Sequence, residues 1–250
     1  MTSSFSERAV AIVGVGAILP DAPDANAFWE NLCRGHYAIS DVDPARWDPA
    51  LYYDADHKAP ERTYSKIGGW VRDWEWNPLG WKLPIPPRVG EAMDDAQKWA
   101  VACTRMALAD HGRPIDNERT AVILGNAMAG EKHYLTGLRV FFPEYAAALA
   151  EAPSFSALPP AVRAAIIAES RARLGGALPP ITEDTMPGEL SNCIAGRIAN
   201  LFDLHGPNYV VDAACASAIA AMSAAIEGLV EEDYDVAIAG GIDRNMGPSA

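Results

Sequence analysis

Four short runs of apolar residues recur along the chain and predict buried strands. Residues 9–14, 121–125 and 236–241 each end in glycine, and residues 209–212 follow the turn pair Gly206-Pro207. In all four runs the apolar side chains occupy successive positions, so both faces of the sheet need cover. The pattern therefore predicts an α/β fold, with a parallel sheet between layers of helices.

Between these runs, apolar residues recur every three or four positions, which is the period of amphipathic helices. Asp24 is positioned as the N-cap of the first helix, and Gly112 as the C-cap of the clearest one. The predicted helices cover residues 26–34, 94–110, 160–174, 188–202 and 216–230.

Two long segments interrupt this alternation. Residues 41–90 hold five of the seven tryptophans and are rich in proline, which indicates an ordered aromatic excursion and not a linker. Residues 127–187 alternate helical patches with proline, which indicates a helical insertion that covers a site or builds an interface. We expect residues 1–250 to form one continuous region containing both segments.

Charge and composition exclude several function classes. Lys and Arg total 20 against 33 Asp and Glu, and the net charge of −13 disfavours binding to nucleic acid. The longest apolar runs, residues 9–20 and 213–226, are shorter than the ~18 residues of a membrane span. No segment resembles a secretory signal, so a cytoplasmic location is predicted. The four cysteines form no CxxC pair, so no metal site or cofactor is predicted.

Cys215 is the candidate nucleophile. It lies where the predicted strand 209–212 ends and an alanine-rich helix begins, and the alanines on both sides permit a tight turn and a close substrate. Amides at a helix N-terminus favour the thiolate form of a cysteine and can stabilise an oxyanion. From the residues alone, a buried cysteine in a core helix is an equally good interpretation.

The stretch Asp-Ala-Ala-Cys-Ala-Ser-Ala at 212–218 resembles the nucleophile motif of β-ketoacyl synthases, the condensing enzymes of fatty-acid and polyketide assembly. Residues 52–54 and 188–200 are most similar to the synthases of the polyunsaturated-fatty-acid and polyketide types. Other segments resemble the family in the same order along nearly the whole chain: 9–16, 28–32, 46–49, 64–70, 93–98, 109–112, 200–207 and 239–241.

The resemblance implies a thiolase-like fold of two related α/β halves, of which this chain would be the N-terminal half, with the C-terminal half absent. It implies that Cys215 accepts an acyl chain from an acyl carrier protein for decarboxylative condensation. It also implies a homodimer, with residues 208–212 near its interface. The two family histidines belong to the second half, and the five histidines here all precede Cys215. Condensation by this chain alone is therefore not expected.

Two alternatives stay open. A thiolase-type acyltransferase would share the fold and the cysteine. A non-catalytic module for dimerisation or carrier-protein docking would need a basic patch, for which Arg163, Arg171 and Arg173 are candidates, although they could equally form one solvated helix face. A half-fold is further expected to expose the apolar face that its partner half would cover.

Overall fold

The structure is a computed structural model that describes residues 9–72, 74–128, 130–244 and 247. The helices in this part of the chain are α1 (Ala25–Arg34), α2 (Pro49–Tyr52), α3 (Pro87–Ala92), α4 (Asp95–His111), α5 (Glu131–Val140), α6 (Phe142–Glu151), α7 (Pro153–Ser156), α8 (Pro160–Ala177), α9 (Thr185–Glu189), α10 (Cys193–Leu201) and α11 (Ser217–Val230). The strands are β1 (Ile39–Asp41), β2 (Ile67–Gly69), β3 (Thr120–Gly125), β4 (Asn208–Val211) and β5 (Val236–Gly241).

A three-stranded parallel sheet forms the centre, in the order β4-β3-β5. Val122 of the central strand lies opposite Asn208 of β4 and Ile238 of β5. All three strands were predicted from their apolar runs, and all six residues of β3 are buried. The predicted parallel arrangement is therefore confirmed.

Helices cover both faces of this sheet, because side chains of successive strand residues point to opposite sides. Val122 and Leu124 pack with α4 and α10 in one core cluster. Ala121 and Ile123 pack with α11 in the other. The result is the three-layer α/β architecture that the sequence predicts.

The prediction of a strand at residues 9–14 is wrong. Residues 9–18 form no helix or strand and pair with no strand in the described part of the chain. They lie instead along α4, where Gly14 and Gly16 press against the backbone carbonyls of Ala107 and Cys103. Ile12 remains 78% exposed. An apolar run favours a strand, but a strand also requires a partner edge.

The helix predicted over residues 188–202 begins later, at Cys193, and a short helix α9 precedes it. Leu190 adopts an extended conformation and separates the two. The side-chain amide of Gln97, in α4, donates to the carbonyls of Pro187 (2.9 Å) and Leu190 (3.3 Å). Because Gln97 engages both carbonyls at this break, the chain has a stable alternative to one continuous helix.

Four tryptophan rings attach the 41–90 segment to the core. Trp74 lies 6.3 Å from Trp76, 6.5 Å from Trp81 and 6.1 Å from Trp99, measured between ring centroids. Trp99 belongs to α4, so this aromatic cluster joins the segment to the helix beside the sheet. The boundaries 41–90 and 127–187 stay predictions.

One carboxylate, that of Glu131 at the start of α5, joins three parts of the chain. Arg46 of the aromatic segment lies 3.2 Å from it, and Arg244, three residues beyond β5, lies 2.9 Å from it. Arg244 also stacks over Trp99, with 5.3 Å from its guanidinium carbon to the ring centroid. Its side chain is only 11% exposed, so this ion pair is screened weakly by water.

Asp94 caps two helices with one buried side chain. Its Oδ1 accepts from the amide of Ala96 in α4 (2.8 Å), and its Oδ2 accepts from the amide of Lys132 in α5 (2.9 Å). A side chain at Gly130 would overlap this carboxylate. The start of the segment after β3 is thereby fixed to the start of α4.

We predict that Asp94→Ala lowers the free energy of unfolding by roughly 2 kcal/mol, because two caps of about 1 kcal/mol each are lost. Urea unfolding measures this. The control is Asp24→Ala, which removes a single exposed cap on α1 and should cost about 1 kcal/mol or less. Equal losses in the two variants would contradict the double role of Asp94.

Candidate active site

Cys215 lies at the edge of the sheet where all three parallel strands have their carboxyl ends. It follows β4 by four residues, within a 3₁₀ turn over Ala214–Ala216 that leads into α11. Cys215 is exposed, as are the other four residues of the 212–216 turn. This edge is where open α/β sheets bind ligands. The predicted strand–cysteine–helix junction is therefore present, and its thiol is accessible.

The turn that carries Cys215 is strained. Ala214, directly before it, has a φ of 50°, in the left-handed region that residues with a Cβ rarely adopt. Such a residue costs about 1–3 kcal/mol and is retained only where its surroundings enforce it. An alanine in this conformation beside a candidate nucleophile is typical of functional turns.

Two side chains enforce the turn. The Asp212 carboxylate accepts from the amide of Ala214 at 2.9 Å. The buried hydroxyl of Ser217 accepts from the amide of Ala213 at 2.9 Å and donates to the carbonyl of Ala214 at 2.7 Å. Hydrogen bonds thus hold both sides of the left-handed residue.

Glycines at the ends of β3 and β5 seat the first turn of α11 directly on the sheet. A Cβ at Gly125 would overlap the backbone of Ser217, and one at Gly241 would overlap Ala218. The absence of side chains at these two positions lets the helix N-terminus approach the strand ends. This contact sets the height of Cys215 above the sheet.

Cys215 differs from the other three cysteines in position. Cys103 faces the 9–18 segment from α4, and burial raises the pKa of its thiol to about 11, which keeps it protonated near neutral pH. Cys193 is half-buried at the start of α10, and Cys33 is exposed in α1. Among the four, Cys215 combines exposure with the strand–helix junction. Its role as nucleophile stays a prediction.

Three of the five histidines, His36, His133 and His205, lie near carboxylates. His205 precedes β4, at the amino end of that strand, and its hydrogen bond to Asp203 raises its pKa. His36 pairs with Asp21 at 2.9 Å, and the Nδ1 of His133 lies 3.8 Å from the Oε2 of Glu189. No histidine is assigned a catalytic role on this geometry.

The three arginines considered as a basic patch all lie on α8. Arg171 lies with its guanidinium carbon 5.0 Å from the centroid of Phe142, whereas Arg163 is half-buried. Arg173 follows Arg171 by two positions, and side chains two apart on a helix do not share a face. Arg171 and Arg173 are exposed, and a docking role for the three arginines stays a prediction.

Helix α11 exposes a row of apolar side chains. Ile219 is 68% exposed, and Met222, Ile226 and Val230 continue the same side of the helix at spacings of three and four residues. That this row is the face a partner half would cover stays a prediction.

Other site types find no support in the described part of the chain. Within it, no group of three or more His, Cys, Asp or Glu side chains could hold a metal ion. Across the same residues, every helix is too short or too polar to cross a bilayer.

The family model for the N-terminal domain of β-ketoacyl synthases matches residues 7–250. The chain belongs to the β-ketoacyl synthase family. It is 30% identical over 243 residues to a phenolphthiocerol/phthiocerol polyketide synthase of Mycobacterium tuberculosis, and the match covers 96% of this chain but 13% of that protein. The polyketide synthase PksL of Bacillus subtilis is 27% identical, over 96% of this chain and 5% of its own length.

Solved structures agree with this assignment of the fold. The oxazolomycin ketosynthase domain OzmH KS7 of Streptomyces albus superimposes with a TM-score of 0.70 at 24% identity, over 95% of this chain and 34% of that one. The ketosynthase from module 6 of the bacillaene synthase of Bacillus subtilis gives 0.66 at 22% identity, over 96% and 33%. The predicted thiolase-like α/β fold is confirmed. The chain spans only 13% and 5% of the length of the two polyketide synthases named above.

Two residues at this site were not found by sequence reasoning, Asn126 and Ser217. Asn126 follows β3 directly and is 3% exposed, with a hydrogen bond from its side chain to the carbonyl of Ile242. A polar residue directly after a fully apolar strand is the signal that could have identified it. For Ser217, the only signal in the sequence is its position two residues after Cys215.

We predict that Gly125→Ala lowers the free energy of unfolding by about 1–3 kcal/mol, because the new methyl group displaces the start of α11. Gly137→Ala is the matched control, since its Cβ meets no atom within 4 Å, and it should stabilise α5 by about 0.5–1 kcal/mol. Urea unfolding of both variants checks the sign and size. A neutral Gly125→Ala would contradict the close seating of α11.

Proposed function

We propose that this chain is the acyl-accepting part of a 3-oxoacyl-[acyl-carrier-protein] synthase in fatty-acid or polyketide biosynthesis, with Cys215 as its nucleophile. One observation supports this most directly. Within a member of the β-ketoacyl synthase family, Cys215 stands exposed between the carboxyl end of β4 and the start of α11. A thiol in this place meets an incoming acyl group without moving the backbone.

The proposed step is a thioester exchange. The Cys215 sulfur attacks the carbonyl carbon of an acyl thioester, and a new C–S bond forms while the carbonyl oxygen takes up the electron pair. The bond to the carrier sulfur then breaks, and the carrier leaves as a thiol with the proton that Cys215 gave up. The products are acyl-Cys215 and the free carrier thiol, so atoms and charge balance.

The surroundings of Cys215 suit this step. Backbone amides at the start of α11 provide positive potential where negative charge develops on the carbonyl oxygen. The turn is held before the substrate arrives by Asp212 and Ser217, so little reorganisation accompanies the attack. Alanines at 213, 214 and 216 leave room beside the thiol.

The proposal assigns acyl transfer, and not the later decarboxylation, to the described residues. His205 lies at the amino end of β4, and His36 and His133 face carboxylates. Acid–base partners typically contribute 10²–10⁴-fold to such chemistry, so condensation requires groups beyond those placed at this edge.

The partners follow from the same proposal. An acyl carrier protein would deliver the acyl thioester, and a second copy of the chain would form a homodimer along β4. A cytoplasmic location stays a prediction.

We predict that an acyl thioester modifies Cys215 ahead of the other cysteines. Cys103 should stay unmodified near neutral pH, because its raised pKa of about 11 keeps the thiol protonated. Peptide mapping by mass spectrometry locates the adduct. Cys215→Ala should abolish the main adduct, and Cys33→Ala, which removes another exposed thiol, should leave it unchanged.

Equal modification of Cys33 and Cys215 would refute the special role of Cys215. The choice of acyl donor separates two interpretations of the fold: transfer from acyl carrier protein supports the synthase, and preference for coenzyme A thioesters would favour a thiolase.

The homodimer proposal rests on the free side of β4, which is an edge strand in the described sheet. The carbonyls of Pro207 and Val211 accept from the amides of Val122 and Asn126, so the backbone groups of Val210 point outward. Tyr209 is 43% exposed on this strand. An outward-facing edge can pair with the same edge of a second copy.

We predict that Val210→Pro weakens the dimer, because proline removes an outward N–H without removing a hydrogen bond to β3. Analytical ultracentrifugation at several protein concentrations measures the shift toward monomer. Leu79→Ala, at an exposed position outside β4, should leave the dimer intact. A wild-type monomer, or a dimer indifferent to Val210→Pro, would overturn the proposed interface.

A further inference from the structure

The side chain of Asn126 occupies the point where all three strands of the sheet end. Its Nδ2 donates to the carbonyl of Ile242, directly after β5, at 2.9 Å. Its Oδ1 accepts from the hydroxyl of Ser191, before α10, at 2.6 Å. Its backbone amide donates to the carbonyl of Val211, the last residue of β4, at 3.2 Å.

Two of these hydrogen bonds end at the strands on either side of the candidate nucleophile. On one side, Val211 is the last strand residue before the turn that carries Cys215. On the other, Ile242 directly follows Gly241, which lies against Ala218 in the first turn of α11. The turn of Cys215 thus begins at the end of β4, which the backbone amide of Asn126 holds. It leads into α11, which rests on the end of β5, and the side chain of Asn126 binds directly after that end.

We infer that Asn126 is a positioning residue for acyl transfer at Cys215, acting through Ile242 and Ser191. This inference rests on the proposed function of Cys215. Asn126 is assigned no chemical step. Its side chain fixes the end of β5 and the segment before α10 relative to the end of β3, so that the amides of α11, which rests on β5, stay aligned with an acyl carbonyl at Cys215.

Asn126 is buried, and its side-chain amide makes hydrogen bonds that an apolar residue could not make. At 3% exposure, its amide would be costly without partners, yet both its donor and its acceptor are used. Its partners belong to different parts of the chain, more than sixty residues away in sequence. The bond to Ile242 reinforces the end of the β3–β5 ladder, and the bond to Ser191 joins that end to the segment before α10.

Two reactions of the Cys215 thiol distinguish a positioning role of Asn126 from an effect on the exposure of the thiol. Alkylation of Cys215 by iodoacetamide requires only an accessible thiol, whereas acylation by an acyl thioester also requires aligned amides. We expect Asn126→Ala to lower the acylation rate by about tenfold or more, since small displacements of reacting groups cost this much. The alkylation rate should stay near that of the wild type.

Conservative variants test the two side-chain hydrogen bonds of Asn126 separately. Asn126→Asp keeps an acceptor for Ser191 but loses the donor to Ile242, and Ser191→Ala loses only the bond to Oδ1. We expect Asn126→Asp to slow acylation nearly as much as Asn126→Ala, and Ser191→Ala to slow it less. Asn200→Ala, an exposed asparagine on α10, is the matched control and should leave both rates unchanged.

The outcomes are distinguishable. If the wild type is not acylated at Cys215, the proposed function fails, and this inference fails with it. If the wild type is acylated and all Asn126 and Ser191 variants acylate at its rate, only the inference is overturned. A fall in melting temperature with an unchanged ratio of acylation to alkylation would show a purely structural role and would also overturn it. Should Asn126→Ala fail to fold, Ser191→Ala and Asn126→Asp decide.

Discussion

The close contact between α11 and the central strand is the constraint on which the candidate site depends. β3 is buried along its whole length, and it ends in Gly125, where the backbone of Ser217 occupies the space of a side chain. Since α11 cannot rise from the sheet without opening a gap there, the turn between β4 and α11 is short and strained. The left-handed Ala214 lies in this turn, where hydrogen bonds from Asp212 and Ser217 hold it.

Much of the frame could be predicted from the sequence because it depends on local patterns. The three core strands come from apolar runs, and Gly112 marks the end of α4. Cys215 could be placed at a strand–helix junction for the same reason. The family resemblance then predicts that Cys215 is a nucleophile, whereas composition alone left a buried core cysteine as an equally good interpretation.

The rest depends on contacts between residues distant in sequence. Residues 9–14 have a strand's composition, but pairing is decided by the neighbouring edge, and here the segment lies along α4. The break at Leu190 reflects hydrogen bonds from Gln97, more than ninety residues earlier. The role of Asn126 is likewise invisible without knowing that Ile242 and Ser191 meet it.

The left-handed Ala214 has a consequence for how this protein can vary. Glycine at that position would relieve the backbone strain, and selection for stability alone would favour it. Glycine would equally widen the range of conformations open to the residue beside the thiol. The alanine therefore marks a place where thermal robustness and a single well-defined geometry are opposed, and where a laboratory search for more stable variants would erode the site first.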